Sequence, residues 1–590
     1  MLWTICFTIS ISIAAITTAL SVFFAAAKRK GGRLLTPLNT LLGGVFVSVF
    51  VSMLPIYAEE AAGGSFSVTK NILFSLLNTF QIFTINSDRS AILESVMTGS
   101  EALTAAYVLY LSFVFVIAPI LTFGFIVSFF KSASAYIKYL LCFFKDMYIF
   151  SDLNERSLAL GADIKRNRKG AVIVYADAFA NEGEKPSELT EQARNMGAIC
   201  FKRDITDTNL RLHSRSSQVR FFTIKEDEQR NIEHSLKLIS AFRSRSGTWL
   251  YAFSTGIESE LLLANIKGAI KVRRVNEIKT LINRILYTDG YDGDGRHVIF
   301  RGAKAAEGAD YRTISAIIVG MGRHGTEMLK ALAWFCQMDG YRLEIDAFDR
   351  DELAEDKLAA LCPDLISGEY NGKYIEGEAN YTIRIHPGAD VTARTFRNMI
   401  TERTSTTYAF VSLGSDEANI RTAVELRMLF ERMNIHPDIQ TVVYSTEKKD
   451  SLKGIKNFKG AEYAIDFIDM ESTYSDRFII QSKLEEAALK LHCSNEGCIE
   501  ENFWGVEYNY RSSVASAMHI KAREACRIPE EIKPEVEHRR WNAYMRSEGY
   551  IFNDTRNDLG KMHHDLIDYS SLLSKEAQKD INIVSAGQKK

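Results

Sequence analysis

The chain has 590 residues, too many for one hydrophobic core, and its length predicts about three to five domains. Its formal net charge of −2 gives no sign of the basic surface that nucleic-acid-binding proteins use, so we expect no nucleic-acid partner. The eight cysteines follow no paired or zinc-type spacing, which indicates a reducing compartment and no metal site.

Charge is distributed unevenly along the chain. Residues 1–130 contain six Lys or Arg and five Asp or Glu, whereas 24% of the whole chain is charged. This contrast predicts an N-terminal α-helical transmembrane bundle at 1–130, followed by soluble domains.

Three uncharged, mostly apolar stretches in this region are long enough to cross a bilayer: 2–27, 34–57 and 102–130. Basic residues follow the first stretch and again the third, at Lys131, and basic loops stay in the cytoplasm. We therefore expect a multi-pass protein of the cell membrane, with all later domains in the cytoplasm.

The stretch 71–87, between the second and third spans, is uncharged but rich in polar side chains. Polar backbone at membrane depth is tolerated where it lines a water-filled cavity, which favours a re-entrant pore segment. Its candidate pore residues are Asn78, Thr79, Gln81, Thr84 and Asn86. An amphipathic helix on the outer surface is the alternative. The potassium-filter sequence TVGYG is absent, so strong potassium selectivity is not expected.

A basic and aromatic connector, 131–146, joins the last span to the first soluble domain, 147–295. In that domain short apolar runs alternate with helical stretches, which predicts a doubly wound parallel α/β sheet. After the first strand no glycine appears, and Asp152 and Glu155 would repel phosphate. We expect a Rossmann-like domain that does not bind a dinucleotide.

The second soluble domain, 312–490, has the same alternation and a G-x-G-x-x-G motif between a strand and a helix. Gly320 permits the tight turn, Gly322 lets phosphate approach, and Gly325 allows close helix packing. Arg323 could add charge near the phosphates, and Asp349 lies where an acid reaches a ribose hydroxyl. These residues predict a site for NAD or another adenine nucleotide; the alternative is a Rossmann-like fold with an empty site.

Tandem Rossmann-like units after a pore module resemble the RCK or TrkA-N domains that regulate gated ion channels. The resemblance is carried by VGMGRHG at 319–325, FDRD at 348–351 and SLGSDEANIRTAVELR at 412–427. It implies a homo-oligomer, a tetramer, in which a ring of these domains binds a nucleotide or ion and pulls on the pore-lining helix. The implied partners are membrane lipids, permeating ions and a small nucleotide-type ligand.

The C-terminal segment, 500–580, contains E-H-x-x-W, G-Y and H-x-D-L-x-x-Y elements that resemble the RyR domain. This resemblance implies a small α-helical domain that senses a nucleotide-derived ligand in bacterial defence-type systems. Three aromatic side chains could stack a base: Trp541, Tyr550 and Tyr569. Three basic side chains could meet phosphate: Arg539, Arg540 and His564. Alternatively, the aromatic residues form the core of the small domain.

The expected function is a ligand-gated ion channel, or a membrane-permeabilising effector, controlled by a nucleotide-type ligand. We expect no enzyme, because no convincing catalytic acid or base accompanies the nucleotide motif. Two alternatives remain open: a membrane-anchored NAD-dependent oxidoreductase, and a nucleotide sensor or scaffold without a pore.

Overall fold

The chain divides into two units, Met1–Leu141 and Cys142–Lys590. The computed structural model describes all residues except 28–36, 59–65, 143, 180–186, 208–216, 257, 264–265, 267, 306–307, 309–310, 367–380, 454–459, 461–462, 495–497, 530–532 and 589–590. The basic loop after the first predicted span lies outside the described residues.

The N-terminal unit is helical: α1 (Leu2–Ala27), α2 (Pro37–Met53), α3 (Ser67–Phe83), α4 (Arg89–Glu94) and α5 (Glu101–Leu141). Two of its helices are long and apolar enough to cross a membrane, over Leu2–Phe23 and Glu101–Ile126. The second predicted span corresponds to α2, a shorter apolar helix of 17 residues.

Hydrogen bonds between polar side chains and backbone join α1, α2 and α5 inside this apolar unit. The Ser48 hydroxyl donates to the Ser10 carbonyl at 2.6 Å and also lies 2.5 Å from the Tyr110 hydroxyl. The Tyr107 hydroxyl donates to the Ser52 carbonyl at 2.7 Å. Polar contacts of this kind hold helices together where apolar burial alone gives little preference for one partner over another.

Helix α3 buries two hydroxyl side chains together with Ile82 and Phe83, while it exposes several large apolar side chains. Ser75 and Thr79 are buried, whereas Leu73, Leu77 and Phe80 are each more than half exposed. A surface helix in water normally turns its apolar face inward. Most of the predicted re-entrant segment, 71–83, belongs to this helix. Only residues 84–87 of the segment lie beyond its end.

The predicted connector, 131–146, is mostly helix rather than a separate linker. Helix α5 continues through it to Leu141 as one element of 41 residues that includes Pro119. The sequence 131–141 contains no glycine or proline, so nothing in it stops a helix. Five residues then separate Leu141 from the first strand at Met147.

The second unit begins with a six-stranded parallel sheet in the order β3-β2-β1-β4-β5-β6. Its strands are β1 (Met147–Phe150), β2 (Val172–Tyr175), β3 (Ile199–Cys200), β4 (Val219–Thr223), β5 (Thr248–Phe253) and β6 (Lys271–Val275). Its helices are α6 (Glu155–Asn167), α7 (Glu188–Asn195), α8 (Glu228–Phe242), α9 (Glu258–Leu262) and α10 (Glu277–Arg284). This order is the Rossmann-like type, as predicted.

A second sheet has the order β10-β9-β8-β11-β12-β13, also Rossmann-like, with β7 antiparallel to β8. Its strands are β7 (Lys304–Ala305), β8 (Arg312–Val319), β9 (Tyr341–Phe348), β10 (Tyr381–His386), β11 (Tyr408–Val411), β12 (Asp438–Val443) and β13 (Ile465–Asp469). Its helices are α11 (Val298–Arg301), α12 (Arg323–Phe335), α13 (Ala354–Leu361), α14 (Pro363–Ile366), α15 (Arg394–Thr401), α16 (Asp416–Arg432) and α17 (Thr446–Leu452).

The C-terminal region is mainly helical and shares a core with the second sheet. It contains α18 (Asp476–Ile479), α19 (Lys483–Cys493), α20 (Glu500–Gly505), α21 (Glu507–Cys526), α22 (Lys533–Ser547), β14 (Ile551–Phe552), β15 (Met562–His563) and α23 (Ser574–Gln588). Leu329 and Trp334 of α12 belong to the same buried cluster as Met518 and Tyr544. The region therefore depends on the second Rossmann-like domain for its packing.

An ionic junction joins both Rossmann-like domains to the C-terminal region. The Glu548 carboxylate lies 2.5 Å from the Lys279 ammonium, 3.9 Å from that of Lys330 and 3.1 Å from the Arg511 guanidinium. Burial raises the pKa of Glu548, but these three cations outweigh it and hold the pKa well below its usual range. Glu548 is therefore a charged contact shared by three parts of the chain.

Candidate functional site

The glycine motif of the second Rossmann-like domain forms a tight turn between β8 and α12. Gly320 has a φ of +94°, and a Cβ there would lie 2.2 Å from the Ser412 carbonyl oxygen. A Cβ on Gly325 would lie 1.8 Å from the Gly320 oxygen, whereas one on Gly322 would meet no atom within 4 Å. Space is thus closed at Gly320 and Gly325 and open at Gly322, the position where a phosphate approaches in this fold.

Helix α12 presents its N-terminus at this open position. Its N-cap is Gly322, and no side chain caps the first turn. Unpaired N–H groups at a helix start favour a bound anion. The Arg323 side chain is 69% exposed and lies 3.9 Å from Glu228 of the first Rossmann-like domain. A phosphate at the loop would therefore compete with Glu228 for Arg323.

Asp349 lies at the carboxyl end of β9, beside the glycine motif. One of its oxygens accepts the Met321 backbone N–H at 2.5 Å and the other accepts the Asp351 N–H at 2.7 Å. The structure therefore brings Asp349 and the glycines together, as the sequence predicts. Each carboxylate oxygen keeps a second lone pair that can accept a ribose hydroxyl.

The corresponding turn of the first Rossmann-like domain is filled by its own side chains. Asn154 caps α6 by accepting the Ser157 N–H at 2.9 Å and donates to the Ile224 carbonyl at 2.7 Å. Asp152 is 8% exposed, and burial raises its pKa although Lys225 opposes the shift. A capped helix start beside a carboxyl group is a poor place for a pyrophosphate.

A cavity of about 850 Å³ lies in the C-terminal region, between α21, α22, α23 and the loop that contains β15. Its size suits a nucleotide or a drug-sized molecule. Trp541 lines it, with its ring centroid 5.6 Å from that of His538 and 5.0 Å from that of His563. Burial lowers the pKa of His563 to about 4, so this imidazole is neutral at physiological pH.

Cationic side chains line the same cavity, but they are not those the sequence predicts: they are Arg556, Lys575 and Lys579. Lysines four residues apart share one face of a helix, so the spacing of Lys575 and Lys579 was a usable signal. Arg556 lies in the loop after Gly549, where no periodicity marks it. Sequence reasoning therefore missed all three.

The predicted phosphate contacts Arg539 and Arg540 do not line this cavity. Arg540 is fully buried, with its guanidinium 3.0 Å from Glu537, and Arg539 lies 3.8 Å from Asp339 of the second Rossmann-like domain. Each of these two guanidinium groups is paired with an acid of the protein itself, as a cation that is removed from water requires.

The other predicted residues are divided between core and surface. Tyr550 is buried, with its ring 6.1 Å from that of Tyr508, as the core alternative expects. Tyr569 is half-buried and lies 5.9 Å from the His538 ring, and His564 is exposed. Of the six predicted ligand residues, Trp541 is the one that lines the cavity.

Within the described part of the chain, one group of side chains has ligand atoms close enough together for a metal ion: His563, His564 and Asp565. The Nδ1 atom of His563 already accepts the Asp565 backbone N–H at 3.1 Å. One ring nitrogen of His563 is therefore already used in a backbone hydrogen bond.

The predicted pore residues lie in and just after α3. Thr79 is buried and donates to the Ser75 carbonyl at 2.7 Å, and Asn78 and Gln81 are half-buried. Thr84 and Asn86 are exposed at the end of the helix. Ile85 between them has a φ of +63°, which is rare for a β-branched residue, and the Asn86 N–H closes the turn on the Gln81 carbonyl at 2.9 Å.

No protein-family model matches the chain, and no curated protein matches it. Among solved structures, it is similar to a dipicolinate synthase subunit from Bacillus halodurans, at 10% sequence identity and a TM-score of 0.18. That match covers 55% of this chain and 90% of the other. The Rossmann-like nature of both sheets follows from their own strand order.

Proposed function

We propose that the protein is a ligand-gated ion channel, or a membrane-permeabilising effector, of the cytoplasmic membrane, opened by a nucleotide-type ligand. The observation that carries the proposal is helix α5. It contains the apolar window Glu101–Ile126 and continues without interruption to Leu141, five residues before β1. A movement of the first sheet can therefore be transmitted to an apolar helix through a very short connecting segment.

Two features of the N-terminal unit support a location in the membrane. The apolar windows of α1 and α5 are only 11% and 28% buried, whereas a core helix of a soluble protein is mostly buried. Helix α3 also turns Leu73, Leu77 and Phe80 outward and keeps Ser75 and Thr79 inside. Lipid is the surrounding in which this arrangement costs least.

A pore requires several copies, because one copy contributes one α5 and one α3. We propose a closed homotetramer in which α3 and the residues Thr84–Asn86 line the axis and α5 gates it. The order of the helices supports this arrangement, because α3, a shorter helix with buried hydroxyl groups, lies in the chain between the apolar helices α1 and α5. The proposed partners are lipids, permeating ions and the ligand.

Two sites support a nucleotide-type ligand: the open glycine turn at Gly322 and the C-terminal cavity of about 850 Å³. The first suits a pyrophosphate next to a ribose, with Asp349 as the acid. The second offers Trp541 for stacking and Lys575 for phosphate. Arg556 and Lys579 also line it, but they are paired with Asp558 and Glu576, so a phosphate would compete with these acids. A ligand opens the pore only if it binds the open state more tightly than the closed state.

The test is ion flux from liposomes containing the full chain, measured with and without NAD, ATP and AMP. We expect at least one nucleotide to raise the flux. Loss of the response in Gly322→Ala identifies the glycine turn as the sensor, and loss in Trp541→Leu identifies the C-terminal cavity. Gly293→Ala is the matched control, because a Cβ there also meets no atom within 4 Å.

Nucleotide binding without any ligand-dependent flux would contradict the channel and leave a sensor or scaffold. Reduction of NAD by the purified protein with a substrate would instead support the oxidoreductase. Mass photometry of the detergent-solubilised protein measures the number of copies in the assembly, and a monomer would exclude a closed pore.

A further inference from the structure

One wall of the C-terminal cavity is formed by helix α23. Eight of its residues line the cavity, and Ile583 is the one apolar residue among these eight. A helix that is packed permanently against a protein turns an apolar face towards it. The polar side chains on this wall are typical of a helix that meets water or a polar ligand rather than a fixed core.

Helix α23 has few apolar contacts with the rest of the chain. Val584 is the one apolar side chain in the described part of this helix that is more than nine-tenths buried, and Ile581 is 38% exposed. The neighbouring helices α21 and α22 contribute Met518 and Met545 to the large buried cluster, to which α23 contributes no described residue. Burial of apolar surface therefore gives α23 little of its attachment.

A contact between Asp580 and His538 joins α23 to α22. The Asp580 Oδ2 atom lies 3.2 Å from the His538 Nδ1 atom, and both residues are buried. The His538 Nε2–H donates to the Ile567 carbonyl at 2.8 Å, which holds the ring with Nδ1 facing Asp580. Among the described residues, this contact is the one side-chain hydrogen bond or ion pair that links α23 to another element.

The other charged side chains of α23 and the segment before it add no further anchor. Lys579 is paired with Glu576 of the same helix. Leu573, directly before α23, is 74% exposed, so the chain enters the helix through a segment that is not packed on the core. A helix that is fastened by one side-chain contact and entered through an exposed segment can move away from the protein as a unit.

We propose that α23 is a lid on the C-terminal cavity, held closed by the contact between Asp580 and His538, and that it opens to admit a ligand and closes on it. This inference rests on the nucleotide site proposed for the same cavity and adds how access to that site is controlled. A bound ligand touches the polar wall formed by α23 and so holds the lid closed, because a ligand stabilises the state that it binds more tightly.

The test is hydrogen exchange of backbone amides, measured by mass spectrometry on the full chain in detergent. Without a ligand, we expect the amides of α23 to exchange about tenfold faster than those of α22, or more. The reason is that an undocked helix of 15 residues is only marginally stable in water.

Removing the contact that holds the lid should increase this exchange further. We expect Asp580→Asn to raise the exchange rate of α23 about fivefold or more and to leave that of α22 unchanged. Glu576→Gln is the matched control, because it removes an acid of the same helix that is paired within the helix. Its exchange should equal that of the parent.

AMP is the probe for closure, in the Gly322→Ala background so that the glycine turn does not contribute. We expect saturating AMP to slow the exchange of α23 about fivefold or more, and Trp541→Leu to abolish this effect. Calorimetric titration of the same proteins measures the binding itself.

Exchange of α23 that is as slow as that of α22 in the ligand-free protein would overturn the proposal, and so would an unchanged rate in Asp580→Asn. AMP binding that depends on Trp541 but leaves the exchange of α23 unchanged would do the same. A failure of AMP to bind would count against the proposed nucleotide site alone, because the ligand-free exchange decides whether α23 is a lid.

Discussion

At the scale of single residues, Gly322 differs from the other two glycines of its motif. Its φ of −64° is open to any residue, and nothing surrounds the position of a Cβ. Neither backbone conformation nor packing in the protein requires glycine there. A ligand that occupies the space next to Gly322 would account for a glycine at this position.

We predict that Gly322→Ala lowers nucleotide affinity by about tenfold or more and leaves thermal stability unchanged, because the methyl group fills only the ligand's space. Gly325→Ala should instead destabilise the protein by about 1–3 kcal/mol, since its methyl would clash with the Gly320 carbonyl. Calorimetric binding and thermal unfolding measure the two effects. Unchanged nucleotide affinity in Gly322→Ala would exclude the glycine turn as the site.

Glu537 is a second residue whose substitution should have a clear effect, in this case on stability. It is fully buried, its carboxylate lies 3.0 Å from Arg540 and 3.5 Å from Arg523, and it accepts the Ser516 hydroxyl at 2.9 Å. Burial raises its pKa, but the two arginines outweigh burial and hold the pKa below its usual range. Glu537 thus balances two buried cations.

We predict that Glu537→Gln lowers the free energy of unfolding by about 3–5 kcal/mol, because two guanidinium groups would remain buried without an acid. Glu535→Gln, on the exposed face of the same helix, is the control and should change it by less than about 0.5 kcal/mol. Denaturant unfolding followed by tryptophan fluorescence measures both. Similar values for the two variants would show that the cluster is not charged as described.

At the scale of elements, helix α5 is the central one. A helix transmits displacement along its axis, whereas a glycine-rich chain does not. The residues 142–146 are the entire length of chain between this helix and β1. Ligand response should therefore depend on the length of this segment.

We predict that inserting Gly-Gly-Ser-Gly after Lys145 abolishes ligand-dependent flux and leaves ligand affinity unchanged. The same insertion after Asp294, an exposed loop residue, is the control and should preserve the flux. Liposome flux and calorimetric binding are measured on each protein. Full flux in the Lys145 insertion would contradict transmission through α5.

The alternation of apolar runs with helical stretches predicts both parallel sheets, but it does not mark every strand in them. Strand β13 has the sequence IDFID, in which Asp466 and Asp469 interrupt the apolar run, and β7 has only two residues, so neither carries a clear strand signal. Ser415 caps α16, where the Ala418 N–H donates to its hydroxyl at 3.3 Å, and a serine just before a helical stretch is a signal that the sequence itself carries. Local rules succeed where the cause is local.

The sites were less predictable. The glycine turn and Asp349 follow from a motif that fixes their geometry. The C-terminal cavity depends on which side chains α21, α22 and α23 bring together in three dimensions. Arg540 cannot serve there, because it donates a hydrogen bond to Glu537, three residues away. The hydrogen bond from Lys279 to Glu548 joins residues that are 269 positions apart. A periodic pattern in one sequence cannot predict a contact over such a distance.

At the scale of the whole molecule, buried histidines make the free energy of unfolding depend on pH. His297 and His519 are 1% and 0% exposed. Burial lowers the pKa of His297 to about 3 and that of His519 to about 4. An unfolded histidine binds a proton near pH 6.5, so the unfolded state takes up more protons than the folded state between these values.

We predict that the free energy of unfolding falls as the pH drops from about 6.5 to about 4, by at most about 1.4 kcal/mol per pH unit for each histidine. The double variant His297→Gln/His519→Gln should flatten this slope, and His436→Gln, which solvent reaches in both states, should not. Tryptophan fluorescence in denaturant reports the unfolding of residues 142–590, which hold four of the five tryptophans. An unchanged slope in the double variant would contradict the prediction.

Glu548 also affects how the protein is made. Lys279, Lys330 and Arg511 all precede it along the chain, so the ribosome makes all three before it makes Glu548. Until it emerges, these cations lack the acid that they share in the native state, and α12 lacks part of the C-terminal core that packs against it. A premature stop or a proteolytic cut upstream of Glu548 should therefore yield a product that cellular quality control degrades, rather than a smaller working protein.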